Sequence, residues 1–131
     1  MVEEKNPSIP GVIAYFTVSD TKAATAFYEK AFGATLKDRR ELPDGRSMHV
    51  HVEINGGAMF FNDPFPEHGA PDAPAKNVTL HVVVDDADQR WKRATEAGAE
   101  IAVPLEVAFW GDKYGQVKDP FGVTWGIVGP A

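Results

Sequence analysis

The stretch VIAYFTVSD at residues 12–20 returns 66 positions later as VTLHVVVDD at residues 78–86. In the first copy Val12, Ala14, Phe16 and Val18 alternate with Ile13, Tyr15 and Thr17, the period of two that places apolar side chains on one face of a strand. In the second, Val78, Leu80, Val82 and Val84 take the apolar places, and Thr79 and His81 fall on the opposite face. Each strand runs into an aspartate, Asp20 or Asp86, suited to cap a helix. Behind Asp20, the residues Ala23, Ala24, Phe27, Tyr28, Ala31 and Phe32 form an apolar stripe at helical spacing that stops at Gly33. Behind Asp86, the stripe Ala87, Trp91, Ala94 and Ala97 stops at Gly98, so both helices end on a residue free to turn left-handed.

The pattern repeats beyond the helices. Residues 34–40 read as a strand, and the turn signal Pro43-Asp44-Gly45 leads into Ser47 to Ile54, where Met48, Val50, Val52 and Ile54 alternate with His49, His51 and Glu53. Asn55-Gly56-Gly57 is a hairpin signal before the apolar run Ala58 to Phe61. After the second helix come Glu100 to Val103, a loop through Trp110-Gly111-Asp112, a strand near Tyr114 to Lys118, the turn Asp119-Pro120-Phe121-Gly122 and a last strand from Val123 to Val128. Between Asp63 and Lys76 the prolines Pro64, Pro66, Pro71 and Pro74 mark an exposed linker. A strand-helix echo can arise by convergence, but the matching turn-rich hairpins after each helix favour duplication. The expectation is an α+β chain forming a single domain over residues 1–131, with βαβββ modules at about 9–63 and 77–129 and a linker at about 64–76.

Composition narrows the function. The chain of 131 residues is 44% hydrophobic, enough for one sizeable core. A net charge of −6 without runs of Lys or Arg argues against nucleic acid or an anionic membrane as partner. No apolar stretch approaches the roughly 20 residues that span a bilayer, and the start from Met1 to Asn6 is polar where a signal peptide would be basic and then apolar. The expected compartment is therefore the cytoplasm. With no cysteine, disulfides, thiolate metal sites and cysteine nucleophiles are excluded.

Several motifs in their order are similar to those of the glyoxalase, bleomycin-resistance and extradiol-dioxygenase family, the vicinal oxygen chelate proteins. They are Val18-Ser19-Asp20 followed by Phe27-Tyr28-Glu29-Lys30-Ala31-Phe32-Gly33, Pro43-Asp44-Gly45 with His49, and Val84-Asp85-Asp86-Ala87-Asp88 with Ala97-Gly98-Ala99. Phe109-Trp110-Gly111-Asp112-Lys113-Tyr114-Gly115 before Asp119-Pro120-Phe121-Gly122 and Trp125 resembles the PhnB-like branch in particular. The likeness runs from about Ile9 to Val128. It implies a curved mixed β-sheet around a cleft with the helices outside, and a homodimer. It also implies two metal ligands per module, His or Glu in the family's enzymes, at positions that fall on Ile13 and Phe60 in the first module and on Thr79 and Gly126 in the second. None of these four can replace an imidazole or a carboxylate. No cofactor is expected.

Strand parity gives a second view of the implied cleft. Opposite the apolar faces lie Tyr15, His49, His51, Glu53, Phe60 and His81, with Trp110 and Tyr114 at the rim, an aromatic, polar and partly titratable surface. Each residue has a plainer reading. His49, His51 and Glu53 can be the wet face of a half-buried strand, His81 a hydrogen-bonded structural histidine, and Trp110 and Tyr114 loop residues packed on the core. Trp125, Phe27, Tyr28 and Phe32 read as core, and Asp85, Asp86 and Asp88 as a helix start. Two functions follow. One is a metal-free protein that binds, in the manner of a sequestering protein, an aromatic or cationic small molecule. The other is a metal-dependent lyase, isomerase or dioxygenase with a relocated site on His49, His51, Glu53 and His81. A purely structural module has no positive sequence support.

Overall fold

The computed structural model describes residues 11–73 and 76–131; the polar start Met1 to Asn6, Ile9 and Pro74 of the linker lie outside the described residues. The first module consists of β1 (Ala14–Thr17), α1 (Thr21–Phe32), β2 (Thr35–Glu41), β3 (Ser47–Ile54) and β4 (Gly57–Asn62). The second consists of β5 (Thr79–Val83), α2 (Ala87–Ala97), β6 (Glu100–Val107), β7 (Asp112–Lys118) and β8 (Thr124–Pro130). Each module contributes its own four-stranded mixed sheet, ordered β1-β4-β3-β2 and β5-β8-β7-β6. The α+β reading with two βαβββ modules holds.

The capping residues do what their chemistry allows. The Asp20 carboxylate accepts from the backbone N–H of Lys22 and Ala23 at 3.0 and 3.1 Å, and Asp86 accepts from that of Gln89 at 3.0 Å. Gly33 and Gly98 close the helices with φ of 67° and 117°, a region that a Cβ disfavours. The start of the linker carries more structure than its prolines suggest. Pro66–His68 forms a 3-10 turn, Phe65 is buried, and the Arg46 guanidinium lies 4.1 Å from the centre of its ring.

Strand register tests the repeat at atomic level. In the first sheet Ala14 pairs with Met59 and Tyr15 with Phe60, in parallel; in the second Leu80 pairs with Trp125 and His81 with Gly126. Both strands of each pair are offset by 66, since 80 − 14 and 125 − 59 give the same value. The repeat therefore matches Tyr15 with His81 and Phe60 with Gly126.

The core lies on the helix side of both sheets and is continuous between modules. Tyr28 and Phe32 of α1 are fully buried, and Phe32 stacks on Trp125 of β8 with ring centroids 4.2 Å apart. Asp119, buried in the turn before β8, accepts from Tyr28 Oη at 2.7 Å, Trp125 Nε1 at 2.9 Å and the backbone of Phe121 and Val123. One carboxylate thus ties the first helix to the second sheet, with its lone pairs satisfied by four donors. Three residues depart from the alternation. Met48, near the start of β3, is exposed, as are Val12 and Val78, which precede β1 and β5 by two and one residues.

Candidate ligand-binding site

With the helices covering one face of each sheet, the opposite faces carry the residues singled out by parity. On the first sheet Tyr15, His49, His51 and Phe60 share the open face with Asp38 and Arg40, which pair with His51 and His49 across β2 and β3. The Phe60 ring is the centre of this group. His49 and His51 meet it edge-on with centroids at 4.6 and 4.9 Å, and Tyr15 does so at 5.9 Å. Tyr15 Oη donates to the Met48 carbonyl at 3.0 Å and lies 3.4 Å from His49 Nδ1. Partial burial holds the His49 imidazole below the usual histidine range against the opposing pull of Asp38, with Arg40 and His51 adding smaller contributions in the direction of burial. Partial burial also pushes the Tyr15 phenol up, so both rings are neutral near pH 7. The Arg40 guanidinium, hydrogen-bonded to Asp38 at 3.0 Å, lowers that carboxyl.

The second sheet presents a different surface at the equivalent places. His81 lies beside Gly126, and Gln116 pairs with Gly126 and Tyr114 with Val128 on β7 and β8. Gly126 leaves vacant the space that Phe60 fills in the first module. A Cβ there would stand 3.0 Å from Tyr114 Oη and 3.2 Å from His81 Nδ1, so the glycine lets a phenol and an imidazole close over it. The two rings stack at 5.8 Å with 22° between their planes. Gln116 Nε2 donates to Tyr114 Oη at 2.8 Å, which leaves the phenolic hydrogen for a further acceptor. Trp110 packs against the far edge of Tyr114 at 5.6 Å, and Phe109 against Trp110 at 5.0 Å. Trp110 is half exposed and Phe109 almost completely so.

A crevice of about 310 Å³ separates the modules, lined by Ala14, Met59, Leu80, Val82 and Trp125, with Ala58 and His81 at its margin. The strands facing it, β1 and β5, are edge strands of their sheets and do not pair with each other. The Asn55 amide bridges to the Val83 carbonyl at its end. Since Ala58 shares the parity of Phe60, the crevice touches both open faces. A second hollow of about 440 Å³, lined by Thr17, Ser19, Asp72, Glu100, Lys118 and Phe121, also reaches Asp119. It contains none of the residues expected from the sequence, and Asp119 there already has its four donors.

The residues present do not fit the metal that the fold family's enzymes carry. Ile13, Phe60, Thr79 and Gly126 supply at most one hydroxyl, and the described residues contain no group of three or more His, Asp or Glu side chains placed to hold an ion. His49 and His51 both meet the Phe60 ring edge-on, Glu53 lies further along β3 opposite Ala58, and His81 belongs to the other sheet. The structure therefore unites Tyr15, His49, His51 and Phe60 as one cluster and His81, Trp110 and Tyr114 as another, with Glu53 in neither.

Sequence reading missed four polar neighbours: Asp38, Arg40, Gln116 and Glu106. Glu106 pairs directly with Tyr114, but β6 carries irregularities between Ile101 and Val103 and between Val103 and Glu106, so simple alternation could not assign its face. Gln116 did have a signal, because it stands two residues from Tyr114 on one strand and must share its face.

The Glyoxalase/Bleomycin resistance protein/Dioxygenase superfamily pattern matches residues 11–127, and the chain belongs to that superfamily. It is 38% identical over 127 residues to the uncharacterized protein Rv0887c of Mycobacterium tuberculosis, covering 92% of this chain and 75% of that protein. The crystal structure of PA1353 from Pseudomonas aeruginosa superposes with a TM-score of 0.77 at 22% identity, covering 93% of this chain and 98% of that one. The PhnB protein from Bacillus cereus gives a TM-score of 0.70 at 18% identity, covering 90% and 98%. These structural likenesses establish the fold.

Proposed function

We propose that this superfamily member is a metal-free small-molecule binding protein of the PhnB-like branch, whose ligand lies on the open sheet faces and reaches into the crevice between them. The observation that carries the reading is the replacement at Gly126: where a ligating side chain would point outward, the chain has a glycine under a stacked His81–Tyr114 pair. The same change of chemistry recurs at Phe60, an apolar ring that His49 and His51 both meet edge-on. Aromatic faces with a few polar atoms suit an organic ligand better than a hard cation. The alternative of a relocated metal enzyme lacks a supporting cluster among the described residues.

The binding role predicts stabilisation that grows with ligand concentration. A thermal-shift screen over aromatic and cationic metabolites, run beside divalent metals, tests it: a stabilising organic compound and no metal effect is expected. A large shift with a metal and none with any organic compound overturns the reading. We further propose a homodimer in the cytoplasm. Support for pairing comes from the exposed apolar side chains Ile101, Val103 and Val107 on β6, an edge strand of the second sheet. Sedimentation should give the mass of two chains at micromolar concentration; a clean monomer refutes it.

A further inference from the structure

We propose that the second module's face is a recognition site for an organic cation, a quaternary or protonated nitrogen on a planar group, held by Trp110 and Tyr114 and neutralised by Glu106 and Asp112. The inference rests on the small-molecule reading above and commits it to one ligand charge.

The aromatic part is a continuous strip. From Phe109 through Trp110 and Tyr114 to His81, successive ring centroids are 5.0, 5.6 and 5.8 Å apart. Trp110 is 49% exposed, so the strip is open to a ligand. Aromatic faces carry negative quadrupole charge and attract cations, tryptophan most strongly.

The carboxylates are fixed by register. Glu106 is the cross-strand partner of Tyr114. On β7, Gly115 meets Trp91 of α2 and Val117 is buried, which puts the odd positions on the helix side and Asp112, Tyr114 and Gln116 on the open side. Asp112 and Glu106 therefore flank Tyr114 along and across the strands. Among the described residues neither carboxylate is in an ion pair. The nearest lysine in sequence, Lys113, points to the other face and is held by Asp88 at 2.6 Å. Uncompensated negative charge beside stacked rings favours a positive ligand and disfavours an anionic one. The equivalent face of the first module lacks this character, because there Arg40 accompanies Asp38.

The test compares N-methylquinolinium with neutral quinoline at pH 8, two bicyclic probes of similar shape and different charge. Binding is followed by the indole N–H resonance of Trp110, assigned by its loss in Trp110→Phe. The cation should bind about tenfold more tightly than quinoline. The double substitution Glu106→Gln with Asp112→Asn should reduce that preference several-fold, to what the rings alone supply, and an unchanged denaturation midpoint shows that the fold is intact. Equal affinities for both probes, or a preference undiminished by the double substitution, overturn cation recognition by this site but leave the small-molecule reading standing. If neither probe moves the Trp110 resonance, while an uncharged or anionic compound from the thermal screen does, the cation assignment falls alone. If nothing organic binds by either method, both fall.

Discussion

The imidazole of His81 and the phenol of Tyr114 lie nearly parallel, 5.8 Å apart with 22° between planes, over a residue with no side chain. The pairing depends on Gly126 and makes a direct prediction. In Gly126→Ala the new Cβ would meet Tyr114 Oη at 3.0 Å, Tyr114 Cε1 at 3.1 Å and His81 Nδ1 at 3.2 Å. These are side-chain atoms on an open face, so the rings can move aside. Stability should change by less than about 1 kcal/mol, whereas affinity for a stacked ligand should fall on the order of tenfold. Chemical denaturation and ligand titration of the same variant separate the two effects.

Gly115 gives the opposite result on the opposite face. A Cβ there would lie 2.6 Å from Trp91 Cζ3 and 2.9 Å from the Leu105 Cα, with backbone on one side and a packed ring on the other. Gly115→Ala should destabilise by roughly 1–3 kcal/mol or more, visible as a lower denaturation midpoint. An unchanged midpoint would show that Trp91 is free to move.

Tyr28 links stability to pH. Burial, reinforced by the Asp119 carboxylate beside it and the hydrogen bond to it, pushes its phenol far above the usual tyrosine range. The unfolded phenol ionises near pH ~10, while the folded one stays protonated, so above that pH the native state holds the extra proton. This contribution is complete below pH ~10 and declines above it by roughly 1.4 kcal/mol per pH unit. Tyr28→Phe should lose about 1–3 kcal/mol at neutral pH through the missing bond to Asp119. The difference between the two proteins should shrink as pH rises past ~10, which urea denaturation at pH 8 to 11 would measure.

Asp63 anchors the end of β4 to the start of α1 and β3. It accepts from Thr21 N at 2.9 Å, Thr21 Oγ1 at 2.8 Å and Ser47 N at 2.6 Å, while Arg39 joins the same network through Thr21, Ser47 and Thr25. Asp63→Ala strands buried donors and should cost about 2–4 kcal/mol. Asp63→Asn keeps the shape and one acceptor oxygen, so it should cost less. Equal losses for the two would assign the effect to charge alone.

The repeat was legible because it rests on signals local in sequence: alternation before each helix, an aspartate cap, and glycine at each helix end. The structure repeats the register of Tyr15 with Phe60 as that of His81 with Gly126 at the same offset. Asp119 was readable only as part of a turn, since its bonds to Tyr28 and Trp125 join residues 91 positions and 6 positions away. Among the candidate site residues, parity placed Tyr15, His49, His51, Glu53, Phe60 and His81 on open faces, with Trp110 and Tyr114 at the rim. It could not show that the Phe60 ring gathers both histidines, because that depends on the register of β3 with β4, or that the two groups stay on separate sheets. Glu106 escaped because a bulged strand breaks the alternation on which parity relies.

The most direct test of the binding-protein account is native mass spectrometry of the protein purified without chelator or affinity-tag metal and then mixed with the organic compound that stabilises it most. The account predicts a single adduct of that compound's mass and no bound metal before its addition. One divalent metal per chain, lost in His51→Ala and in His81→Ala, with no organic adduct, would contradict it and place an enzyme's metal centre on these faces.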